Sequence, residues 1–200
     1  MKALVVYDSV FGNTEKIAQA VGAALGAPVV QVKAVQAEQL AGVELLVVGS
    51  PTRQFNATPD MMAWLNGLAE DALKGARAAA FDTRIDAKTI GFFLFRWLVA
   101  SNYAVKRLEA ALARKGAALA APGGGFFVKA SEGPLVEGEL ERAATWAIRG
   151  SPNILAAPRR RAAEPKGAKR HEGVDRSRSR ALGRVQPPPD PDDPARRRPL

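Results

Sequence analysis

The sequence predicts a three-layer α/β/α domain, with a doubly wound sheet of five parallel strands, followed by a basic tail. Two observations carry this prediction. Short apolar, β-branched runs alternate with stretches of helical periodicity up to about residue 150, and past Pro152 that patterning gives way to proline and arginine. Parallel neighbours need crossover connections, so such an alternation buries both faces of the sheet under helices. The expected division is a folded domain over residues 1–152 and a disordered tail over 153–200.

Lys2 to Tyr7 (KALVVY) is an apolar run closed by turn formers, the pattern of a strand buried on both faces. Apolar residues then recur at Ile17, Ala20, Val21, Ala24 and Leu25, so Thr14 to Leu25 reads as a helix stopped by Gly26-Ala27-Pro28. A second strand is expected near Val29 to Val32, a short helical piece at Ala37 to Leu40, and a third strand at Val43 to Val48, ended by Gly49-Ser50-Pro51. Thr58-Pro59-Asp60 opens a helix with a capping threonine, proline at the first helical position, and Met61, Met62, Leu65 and Leu68 as its buried face. Ala78 to Phe81 is the fourth strand and roughly Ser101 to Lys115 the next helix. Ala117 to Ala121 with Phe126 to Val128 forms an interrupted fifth strand, and Glu137 to Arg149 a last helix with acidic residues in its first turn. The phenylalanine-rich run from Ile90 to Val99 reads mainly as core.

Composition excludes several chemistries. There is no cysteine, and the only histidine, His171, stands in the tail. Thiol nucleophiles, Cys/His zinc sites and imidazole-dependent triads are therefore ruled out for the folded part, and any reactive group is expected from a cofactor. The charge of +9 is unevenly placed: residues 1–155 carry 16 basic against 14 acidic side chains, the remainder 13 against 6. Basicity belongs to the tail, where eight of the fourteen prolines also fall, so it argues against nucleic-acid binding by the folded part. A polybasic arm touching nucleic acid or membrane is the alternative reading of that tail. No stretch approaches a membrane span, and Met1-Lys2 leads into no secretory signal; the expected location is the cytoplasm.

In such sheets ligands bind beyond the carboxyl ends of the strands. The first such loop, Asp8-Ser9-Val10-Phe11-Gly12-Asn13-Thr14-Glu15, leads directly into a helix, where free N–H groups and the positive dipole end favour a phosphate. Gly12 allows a tight turn, and Ser9, Asn13 and Thr14 add side-chain donors. The loop holds neither lysine nor arginine, which suits the single phosphate of a mononucleotide. A Walker loop and a G-x-G-x-x-G turn are both missing here, and Gly123-Gly124-Gly125 precedes a strand-like FFV and reads as a plain loop.

Ser9-Val10-Phe11-Gly12-Asn13-Thr14 resembles the S/T-x-x-G-N-T phosphate loop of flavodoxins and FMN quinone reductases, with Phe11 departing from the flavodoxin pattern toward the reductases. Gly49-Ser50-Pro51-Thr52-Arg53-Gln54-Phe55-Asn56 is similar to the G-x-P-T-R loop that holds the isoalloxazine ring in those reductases. In physical terms, Pro51 or Phe55 offers the ring a wall, and Thr52 to Asn56 offer donors to its polar edge. Asp82-Thr83-Arg84 falls where the other ring-flanking loop belongs, but lacks the glycine-rich, histidine-containing stretch of the reductases. The later part, Gly125-Phe126-Phe127-Val128 through Glu139-Leu140-Glu141-Arg142-Ala143, resembles bacterial flavodoxin-domain proteins.

The resemblance implies a flavodoxin-like sheet of order 2-1-3-4-5, FMN as cofactor, electron transfer as function, and a redox partner protein as the counterpart. The alternatives are an FMN-dependent quinone reductase using NAD(P)H, and a flavin-free binding protein on the same fold. Arg53 and Arg84 near the ring would favour the anionic reduced flavin and so raise its potential.

Overall fold

The computed structural model describes residues 1–87 and 103–149. The phenylalanine-rich run and the 153–200 tail lie outside the described residues.

β1 (Ala3–Tyr7) is an interior strand of the sheet, and all five of its residues are buried. It pairs in parallel with β2 (Val29–Gln31) on one side and β3 (Leu45–Pro51) on the other. β3 in turn pairs with β4 (Arg77–Ile85), and β4 with both β5 (Ala118–Leu119) and β6 (Gly124–Val128), all in parallel. The order is therefore 2-1-3-4-5, with β6 continuing beside β4 where β5 stops. Pro122, which has no N–H to give a ladder, falls in the gap between these two short strands.

Among the described residues the α-helices are α1 (Asn13–Leu25), a single turn α2 (Ala37–Leu40), α3 (Pro59–Gly67), α4 (Ala104–Arg114) and α5 (Glu139–Arg149). Alternation along the strands assigns side chains to two cores. Leu4, Val6, Leu46, Val48, Ala78 and Ala80 face one side and pack with Met61 and Leu65 of α3 and Leu108 and Leu112 of α4. Val5, Leu45, Val47, Ala79 and Phe81 face the other, where Ile17 and Val21 of α1 meet Ala143 and Ala147 of α5. There Phe81, Phe126 and Trp146 stack edge to face, with centroids 5.9 to 6.2 Å apart.

Two strands differ from the sequence reading in a way that matters for the site. β3 runs on through Gly49-Ser50-Pro51, and β4 runs four residues past Phe81 to Ile85, because Pro51 and Thr83 pair and Gly125 to Val128 extend the ladder beside Asp82 to Ile85. Their local sequence looks like loop because Asp82, Thr83 and Arg84 are polar; neighbours on both sides make it strand. Gly123-Gly124-Gly125 is likewise no plain loop, since its last two residues open β6.

Candidate functional site

The turn from β1 into α1 is left polar and incompletely bonded. Gly12 takes a left-handed backbone (φ +78°), and a Cβ added there would meet nothing within 4 Å. α1 has no side-chain cap, and the N–H of Lys16 bonds to the Gly12 carbonyl. The N–H groups of Asn13, Thr14 and Glu15 precede it and have no helical acceptor. The Ser9 N–H donates to its neighbour Asp8 (3.0 Å), whereas the Ser9 hydroxyl is buried without a hydrogen-bond partner among the described residues. Asn13 and Thr14 anchor the turn: Asn13 Nδ2 donates to the Gly133 carbonyl (2.7 Å), and the Thr14 and Thr83 hydroxyls bond each other (2.8 Å). Phe11 and Val10 project outward, 45% and 44% exposed.

After β3, Arg53 to Asn56 make a tight hairpin turn, each of the two outer residues donating its N–H to the other's carbonyl at 2.8 Å. Its central residues, Gln54 and Phe55, both have positive φ (47° and 64°), as a primed turn demands. Neither is glycine, so the turn holds a strain of about 1–3 kcal/mol per residue. Arg107 Nε on α4 donates to the Phe55 carbonyl at 3.2 Å and holds the turn in place. Arg53 stands 5.6 Å from the Phe11 ring centroid and has no ion-pair partner among the described residues. The loop offers fewer donors than the sequence implies, because the N–H groups of Thr52, Arg53 and Asn56 are taken up by Thr83, Asn56 and Arg53.

Asp82 occupies a different place from the one its position in the sequence implies. Its side chain is fully buried and does not line the cavity. Oδ2 accepts from the Thr52 hydroxyl and the Val105 N–H, both at 2.9 Å, while Oδ1 accepts from Arg84 Nε. Burial pushes its carboxyl above the ordinary range, and the Arg84 guanidinium and these donors pull it back down. The Thr52 hydroxyl also accepts the Ala104 N–H (2.9 Å), so one carboxylate ties the loop after β3, the end of β4 and the start of α4 together. Tyr103 closes the set. Its hydroxyl donates to the Ile85 carbonyl (3.2 Å) and accepts from the Ala87 N–H (3.1 Å), and its ring lies 3.8 Å under the Arg84 guanidinium.

These loops surround a cavity of about 480 Å³ at the carboxyl ends of β1, β3, β4 and β6. Of the residues singled out in the sequence, Ser9, Val10, Phe11, Asn13, Thr14, Pro51, Thr52, Arg53, Gln54, Phe55, Thr83 and Arg84 line it. Gly12 and Asn56 do not: Gly12 sets the turn, and Asn56 closes the hairpin from the exposed side. The sequence reading missed Ile85, Tyr103, Val128, Ser131 and Glu132. Ser131-Glu132-Gly133 is a turn at the carboxyl end of the last strand, so the rule that ligands sit beyond strand ends points to it. Tyr103 carries no such local signal; tertiary packing alone brings it in.

A flavodoxin domain model matches residues 4–119, which span β1 through β5. This chain belongs to the flavodoxin-domain family. Solved structures agree in fold. An archaeal flavodoxin is 22% identical with a TM-score of 0.61, covering 77% of this chain and 99% of that one. A WrbA-like flavodoxin from Agrobacterium tumefaciens is 15% identical (TM-score 0.57; 76% of this chain, 97% of that). The rubredoxin oxygen:oxidoreductase of Desulfovibrio gigas is 19% identical (TM-score 0.57), covering 78% of this chain but 37% of that larger one. No curated protein sequence matches the chain. Among the described residues of this flavodoxin domain, no cluster of side chains suits a metal ion, and no helix is long and apolar enough to cross a membrane.

Proposed function

We propose that this flavodoxin domain binds FMN in the cavity and carries electrons between redox partner proteins. The single observation that carries the reading is the β1–α1 turn: a buried Ser9 hydroxyl without a partner among the described residues, a left-handed Gly12 and the open N-terminus of α1 converge in a loop that itself contains no lysine or arginine. Such a donor set fits the phosphate monoester of a mononucleotide, which hydroxyl and backbone donors can wrap. A volume of about 480 Å³ is within the ordinary range of small-molecule sites. Ser9, Asn13, Thr14 and the α1 N–H groups would hold the phosphate; Pro51, Phe55, Thr83 and Tyr103 would bound the ring. Bound there, FMN supplies the group that accepts and passes on electrons. The protein's own residues position it, exclude water and set the local charge.

Titration of the full chain with FMN and with riboflavin tests the reading through flavin fluorescence. Riboflavin keeps the ring and loses the phosphate, so it is expected to bind at least about tenfold more weakly, on the scale of hydrogen bonds to a charged group. Equal affinities would overturn the role of the turn, and no binding of either would overturn the cofactor. NAD(P)H added to the FMN complex separates a carrier from a quinone reductase: a carrier keeps its oxidised flavin spectrum until a reductase is added, whereas bleaching by NAD(P)H alone makes it an enzyme.

A further inference from the structure

Two arginines border the cavity, but they are not equivalent. Arg53 is exposed and has no ion-pair partner among the described residues. Arg84 is only 12% exposed, and its Nε donates to the fully buried Asp82 carboxylate. The guanidinium is closely packed: the Tyr103 ring lies 3.8 Å from it, and a Cβ added at Gly125 would collide with it. Glycine at that position on β6 makes room for it. Asp82 acts only as acceptor in its hydrogen bonds with Thr52, Arg84 and Val105, which is the geometry of a carboxylate, and its negative charge sits against a closely packed cation.

We propose that Asp82 is a positioning residue that sets the reduction potential of the bound flavin, by cancelling the charge of an Arg84 held rigidly at the cavity wall. The inference rests on FMN as the ligand of that cavity. Oxidised FMN takes two electrons and one proton to give the anionic reduced ring, so the ring gains one negative charge, which a neighbouring uncompensated cation favours. With Asp82 ionised, the Asp82–Arg84 pair contributes little net charge, and the remaining charged groups lining the cavity are Arg53 and Glu132. With Asp82 neutral, Arg84 adds a full positive charge in a place of low solvent exposure, where charge is poorly screened.

The test is spectroelectrochemistry of the FMN-loaded full chain. Asp82→Asn keeps the side-chain shape and an acceptor for Thr52 and Val105 while removing the charge. It is expected to shift the oxidised–reduced equilibrium about tenfold toward the reduced flavin, which is about 30 mV upward at the two-electron midpoint. The double variant Asp82→Asn/Arg84→Gln removes both charges and is expected to return to the wild-type potential. A merely structural role would lower affinity or stability in both variants without that reversal. Should Asp82→Asn fail to fold, Arg84→Gln alone supplies the test, with an expected downward shift at pH 8. Wild-type protein that binds no FMN would remove the cofactor reading itself. Wild-type protein that binds FMN, with a midpoint unmoved in Asp82→Asn, or in Arg84→Gln where Asp82→Asn does not fold, would overturn the role of Asp82 and leave the cofactor reading standing.

Discussion

The two halves of the cavity are built on opposite plans. In the turn after β1 the polar groups are left open: the Ser9 hydroxyl has no partner among the described residues, and α1 begins without a side-chain cap. At the ends of β3 and β4 they are taken up by one another, through Asp82, Thr52, Arg84, Tyr103 and the first N–H groups of α4. A buried polar group without a partner costs about 1–3 kcal/mol. The first half is therefore left open and the second is completed by the protein; on the proposed function, a ligand completes the first. Stability and ligand affinity should depend on different halves.

The sharpest way to break this contrast is Asp82→Ala. Removing one partner of a buried ion pair costs about 3–5 kcal/mol, so a fall in stability of that size is expected in denaturant unfolding of the ligand-free chain. A loss below about 1 kcal/mol would show that the network is not what holds these loops. Ser9→Ala should act in the reverse sense, leaving the ligand-free chain at least as stable and up to about 1–3 kcal/mol more so, while FMN affinity falls about tenfold, as expected for a hydrogen bond to a charged phosphate. Destabilisation with unchanged affinity would reverse the assignment of the halves.

Smaller effects sharpen the comparison. Burial raises the Asp82 carboxyl above the ordinary value of 3.8, so the folded state holds this proton more tightly than the unfolded chain. Its contribution to stability is then fully present below that value and declines as the pH rises toward the raised one, levelling off beyond it. Wild type measured against Asp82→Asn should show that decline, and an increase over the same window would contradict it. Arg53→Gln removes a solvent-exposed rim cation, for which a downward shift of the flavin midpoint of no more than about 30 mV is expected, shrinking as salt is added. A shift that ignores ionic strength would place Arg53 inside the cavity rather than at its rim.

Much of the fold was legible before any coordinates. The alternation of buried strands and amphipathic helices, and Gly12 at the entry to α1, depend on local residue chemistry, and local chemistry can be read along the chain. β4 beyond Phe81 was not, since polar Asp82, Thr83 and Arg84 form strand only because β3 and β6 flank them. The same holds for Gly125, which reads as loop until Arg84 is seen lying against it.

For the site, sequence alone determined the uncharged, donor-rich turn that enters α1, because its donors come from one contiguous stretch entering one helix. It also placed Thr52 and Arg84 at the cavity, as strand-end residues of a parallel sheet. Only the tertiary structure decided what Asp82 does. Its partners lie 2, 23 and 30 residues away, and whether a carboxylate faces a ligand or neutralises an arginine depends on groups that folding alone brings within reach.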